Sequence, residues 1–86
     1  MDPEVIRRTI PPYRVLLHND DHNSMEHVVR SLMLSLPGMD VDEASRIMFE
    51  AHNHGQATVT ICAKEQAEYY RERLESCGLT ATIELA

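Results

Sequence analysis

"LLHNDDHNSMEHVV", residues 16–29, is the stretch whose reading decides the fold. Two leucines close a short β-rich run, "YRVLL" (residues 13–17), which predicts a strand. The polar residues 18–24 then predict a loop, and apolar positions at helical spacing begin immediately after it. Ser24 is a good N-cap, and Glu26 in the first turn complements the helix dipole. The stripe is Met25, Val28, Val29, Leu32, Met33 and Leu36, the i, i+3, i+4, i+7, i+8, i+11 pattern of one helical face. Pro37-Gly38 ends it.

Working outward, Asp40 caps a second helix, with Asp42 and Glu43 in its first turn. Its apolar face is Val41, Ala44, Ile47, Met48 and Ala51, and His52 falls four residues after Met48, on that face or at its edge. Gly55 is the expected C-terminal stop. "QATVTI" (residues 56–61) alternates and is β-branched, a second strand. A third helix follows on Ala63, Ala67, Tyr70, Leu74 and Cys77, Gly78 ends it, and "TATIEL" (residues 80–85) is a third strand. The order β-α-α-β-α-β predicts an α+β fold: a three-stranded antiparallel or mixed sheet covered by helices on one face. The short link between the first two helices makes them a hairpin.

At 86 residues the chain has room for one small domain, 43% hydrophobic and 26% charged, which is ordinary globular composition. Residues 1–12, closed by Pro11-Pro12, read as a flexible N-terminal arm and residues 13–86 as the core domain. The formal net charge of -6 argues against nucleic acid, whose phosphates need a basic face. No apolar run approaches the ~18 residues of a membrane span, and the start lacks the apolar core of a signal peptide. The two cysteines, Cys62 and Cys77, flank the third helix about 22 Å apart at ~1.5 Å per residue, so they read as free thiols of a reducing compartment.

The five histidines, His18, His22, His27, His52 and His54, invite a metal reading, but none of them makes a helical ligand pair. Asp20-Asp21 more often serves turn and cap chemistry than magnesium. A small metal-dependent hydrolase using Asp20, Asp21, His22 and His52 is the alternative from a different class. No catalytic residue, resident metal or cofactor is expected. The glycines, Gly38, Gly55 and Gly78, each follow a helix and form no phosphate loop. Met25 stands apart from the other methionines: it opens a helix directly after the polar loop, where a flexible, polarizable side chain can line a mouth.

"VLLHNDDHNSMEHVV" followed by "ASRIMFEAHNHGQATV" resembles the ClpS family, adaptors of the AAA+ protease Clp. The resemblance runs over about residues 13–83 and implies a fold like the C-terminal domain of the ribosomal stalk protein. It implies an adaptor, not an enzyme, that binds proteins with a bulky hydrophobic N-terminal residue (Phe, Tyr, Trp or Leu) and delivers them for degradation. Asn19, Asp20 and His52 would hold the free α-amino group. Met25, Val28, Leu32, Met48, Ala51 and Leu79 would line the side-chain pocket, with Met25 as its gate. Asp21 and Asn23 would support the loop. Glu65, with Tyr70 at the family's basic position, would face the N-domain of a ClpA- or ClpC-like chaperone. The implied location is the bacterial cytoplasm or the plastid stroma.

The chemistry agrees with those roles. An α-amino group is mostly ammonium near neutrality, and a carboxylate, an amide oxygen and a neutral imidazole nitrogen can accept its three N–H donors. An internal residue lacks that charge and would leave the acceptors unpaired. Ala51 replaces the family's usual β-branched residue, which predicts a wider pocket that favours Phe or Tyr over Leu. It also leaves open a Clp-binding regulator with a degenerate pocket. Asn23-Ser24 replaces the common Thr-Pro, the link at Pro37-Gly38 is one residue longer, and the third helix ends early. The short arm predicts binding with weak delivery.

Overall fold

The computed structural model describes Asp2 and residues 10–86. The elements are β1 (Tyr13–His18), α1 (Met25–Ser35), α2 (Val41–His54), β2 (Gln56–Cys62), α3 (Lys64–Ser76) and β3 (Thr80–Leu85). The predicted order therefore holds, and the protein is an α+β domain with a three-stranded sheet. The arm predicted over residues 1–12 lies mostly outside the described residues.

The sheet order is β2-β1-β3, and both pairings are antiparallel. β1 holds the centre because Val15, Leu16 and Leu17 are all buried, as a strand paired on both edges requires. Val15 and Leu17 join Ala57, Val59 and Ala81 in the core, whereas Leu16 lies outside that cluster, level with Thr58 and Thr82. A bulge between Val15 and Leu16 shifts the register against β2. α2 packs on β2, α3 on β3 and β1, and α1 on α2 and α3.

The caps follow the sequence. Ser24 Oγ accepts from the His27 N–H at 3.1 Å, and Asp40 Oδ1 from the Glu43 N–H at 2.8 Å. Gly55 closes α2 at φ 89°, a left-handed conformation that side chains oppose.

Two apolar faces differ from the reading of the sequence. Met33 is 41% and Val41 53% exposed, although both sit on predicted core stripes. α1 instead buries Ser31, Leu32 and Ser35. The reason is packing: small side chains at Ser31 and Ser35 fit where α1 closes on its two helical neighbours, and Met33 is left at the surface while Val28 and Val29 stay packed on the core. On α3, Ala67 and Leu74 are buried while Ala63 is exposed and caps the helix without a side-chain bond.

Candidate functional site

The site is built where β1 ends. The backbone N–H of Asn19 donates to the Gly55 carbonyl at 2.9 Å. That bond fastens the start of the 19–24 loop to the end of α2 and so brings His52 beside Asn19 and Asp20. Asp20 organises the loop. Its Oδ1 accepts from the backbone N–H groups of His22 and Asn23, both at 2.9 Å, and from Asn23 Nδ2 at 3.1 Å. Among the described residues its Oδ2 accepts only from Asn23 Nδ2, at 3.0 Å, and so keeps lone-pair capacity for another donor. Asn23 Nδ2 also donates to the Gly78 carbonyl at 2.9 Å, tying the loop to the turn after α3. His27 Nε2 lies 2.7 Å from the Cys77 carbonyl and braces the same turn from α1.

Burial opposes the charge on Asp20 and is the largest single influence on it. The bonds from the Asn23 side chain, the Asn23 and His22 backbones, and the nearby His22 together outweigh burial. The carboxyl therefore sits below its ordinary value of 3.8 and is charged at every pH where the domain is expected to work.

These groups edge a recess of about 240 Å³. Asn19, Asp20, Asp21 and His52 form its polar side, and Met25, Val28, Met48 and Ala51 its apolar side. The volume is that of one large side chain, since a ~150 Å³ apolar cavity already admits a benzene ring. Met25, the first residue of α1, is 46% exposed at the mouth, whereas Met48 and Ala51 are buried.

The structure thus gathers Asn19, Asp20, His52, Met25, Val28, Met48 and Ala51 in one place. Leu32 and Leu79 are not there: at 0% and 4% exposure they are packed into the core. Leu32 falls on the α1 face that closes on the other two helices, and Leu79 begins the return to β3. Of the two residues expected to support the loop, Asn23 bonds to Asp20 and to the Gly78 carbonyl, while Asp21 is exposed and lines the recess. Leu17 and His18 are lining residues that sequence reasoning missed. Their signal is position, because the last residues of a strand lie beside the loop it feeds. His18 Nε2 is held 2.7 Å from Thr82 Oγ1.

The metal alternative finds no ligand set. Among the described residues no three His, Cys, Asp or Glu side chains come together in a metal-binding group, and His22 does not line the recess.

Glu65 is exposed in the first turn of α3. Tyr70 is half-buried and packs on the core, so the exposed ring is the neighbouring Tyr69, 56% exposed and edge-on to Tyr70 at 5.8 Å. Lys64 Nζ lies 5.6 Å from the centre of the Tyr13 ring, at the start of β1. The recess lies at the other end of that strand, about 17 Å away at ~3.3 Å per residue.

Comparison with known proteins bears on the whole domain. A Gloeobacter violaceus ATP-dependent Clp protease adapter protein ClpS is 50% identical over 80 residues, covering 93% of this chain and 86% of that protein. The chloroplastic adapter CLPS1 of Arabidopsis thaliana is 47% identical over 78 residues, 91% of this chain and 49% of that longer protein. The structure of Agrobacterium tumefaciens ClpS2 bound to L-phenylalaninamide superposes with a TM-score of 0.84 at 30% identity, covering 88% of this chain and 98% of that one. Residues 8–82 match the family of ATP-dependent Clp protease adaptor proteins, ClpS, and with relatives this similar over nearly its full length the chain belongs to that family.

Proposed function

We propose that this chain selects proteins by a bulky hydrophobic N-terminal residue and brings them to a Clp chaperone–protease, acting by binding and not by catalysis. One observation carries the reading. A fixed carboxylate whose Oδ2 takes one bond and keeps lone-pair capacity stands beside Asn19 and His52 at the rim of an apolar recess sized for one side chain. A free α-amino group and a large apolar side chain on the same carbon satisfy both halves together. The Agrobacterium relative holds a molecule of that chemistry, phenylalaninamide.

A chaperone N-domain would meet α3 around Glu65 and the Tyr69–Tyr70 pair. The start of α3, where Lys64 meets Tyr13, lies at the end of β1 away from the recess, which would let substrate and chaperone be held together. With cyanobacterial and chloroplast relatives, the place of action is the bacterial cytoplasm or the plastid stroma.

Titration with peptides that differ only in their first residue tests the function. Phe and Leu peptides bind, an Ala peptide does not, and EDTA changes nothing. Ala binding as tight as Phe binding, or loss of binding on chelation, would overturn the reading.

Two further expectations concern the walls of the recess. Ala51 leaves room that a β-branched residue would fill, so the chain favours Phe and Tyr over Leu. Ala51→Val narrows the recess and lowers the Phe/Leu affinity ratio by about ten-fold, the scale set by a methylene or two in an apolar pocket. Fluorescence anisotropy with both peptides measures the ratio.

The second concerns His52. Its imidazole nitrogen accepts one N–H of the bound ammonium, so His52→Ala weakens binding of a Phe peptide by about ten-fold. Anisotropy titration of the variant checks it, and unchanged affinity would remove His52 from the site.

A further inference from the structure

A second apolar surface adjoins the recess. Met25, Val29 and Met33 of α1 and Met48 and Phe49 of α2 line a groove of about 890 Å³, together with Leu34. Its side chains are unusually bare for apolar residues: Met33 is 41%, Phe49 50% and Leu34 67% exposed. Monomeric surfaces seldom leave such a contiguous patch without a binding role. The three methionines give it an adaptable lining that accepts side chains of varied shape. Glu26 and Arg30 at its edge carry opposite charges, so the groove does not select by charge.

Continuity with the recess points to the occupant. Met25 and Met48 line both, so they form the partition between them. With the amine of a substrate held by Asn19, Asp20 and His52 and its first side chain in the recess, the third substituent of the α-carbon is left at the mouth. That substituent is the rest of the substrate chain, and Met25 is the residue it must pass. From Met25 to Met33 the groove runs about 12 Å along α1 at ~1.5 Å per residue. An extended peptide covers that in three to four residues at ~3.3 Å each.

We infer that the α1–α2 groove is a second substrate subsite, which takes apolar side chains at about positions 3–6 of a protein whose N-terminal residue fills the recess. This rests on the proposed reading of the recess and adds to it a sequence preference downstream of the first residue. The substrates favoured are those with a short apolar segment just after the bulky terminus.

Two peptides with the same N-terminal Phe test it, one continuing in Leu at positions 3–5 and one in Gly and Ser. The apolar tail should tighten binding roughly five-fold or more, the yield of one or two side chains leaving water. Met33→Glu and Phe49→Glu, exposed positions that do not line the recess, should each cut that advantage below about two-fold. They should leave the Gly/Ser peptide bound as in the parent. Equal affinity for the two tails, or an advantage that survives both substitutions, would overturn the inference. So would a dimer in sedimentation velocity that Phe49→Glu dissolves, because the groove would then belong to a second copy. If the Gly/Ser peptide itself fails to bind, or binds equally well when N-acetylated, the recess reading has failed and the groove assignment falls with it. Tail-independent but acetylation-sensitive binding overturns the groove alone.

Discussion

Asp20→Ala weakens binding of a peptide with a free N-terminal Phe by roughly 30-fold or more, the ~2 kcal/mol or greater cost of removing one partner of a hydrogen-bonded charge pair. The substitution removes two things at once. The ammonium loses its only carboxylate partner on the recess rim other than the exposed Asp21, and the loop loses the acceptor for His22 and Asn23. Asp20→Asn separates them, because an amide oxygen can still take the backbone N–H groups while the charge is gone. It should still cost about ten-fold. In Asp20→Ala, N-acetylation of the peptide should cost less than in the parent, since the group it blocks has already lost its strongest partner. Anisotropy titrations of both variants with both peptides complete the cycle. An Asp20→Ala protein that binds the free peptide as the parent does would remove Asp20 from the site.

Leu32→Ala is the largest stability effect expected at a position that the family resemblance places in the pocket. Leu32 is fully buried in the core, and such a truncation costs about 2–5 kcal/mol. Against the ~5–15 kcal/mol that stabilises small domains, this is a large fraction. Thermal denaturation followed by circular dichroism should show Tm falling by about 10 °C or more, at ~4–8 °C per kcal/mol for a domain of this size. Binding by the protein that remains folded, measured in the cold, should change little. If Leu32 lined the recess, the split would reverse: affinity for Phe would fall and Tm would hold.

Those two residues mark what was legible in the sequence. The caps were, because Ser24, Asp40 and Gly55 act on their own helix ends within three or four residues. The element order was, because apolar period and breakers are local signals too. The core face of α1 was legible at Val28, Val29, Leu32 and Leu36, but the exposure of Met33 and the burial of Ser31 and Ser35 were not, because polarity and spacing alone place Met33 inside and the serines outside. The roles within the loop were only half visible. That acidic and amide residues form a turn follows from their type. That Asn23 reaches the Gly78 carbonyl, and that the Asn19 N–H reaches the Gly55 carbonyl, depends on chain brought together from 55 and 36 residues away. His52 joined the site in the sequence only through the family resemblance. In the structure it follows from that one backbone bond beside the end of α2.

The central claim is that the site recognises a free α-amino group together with a large side chain. Isothermal titration of the unaltered protein with two peptides that differ by a single acetyl group on N-terminal Phe tests it most directly. Acetylation keeps the ring and removes the charge and two donors, so the acetylated peptide should bind at least ~30-fold more weakly. Equal affinity for the two would mean that Asn19, Asp20 and His52 hold no ammonium, and the account would be wrong.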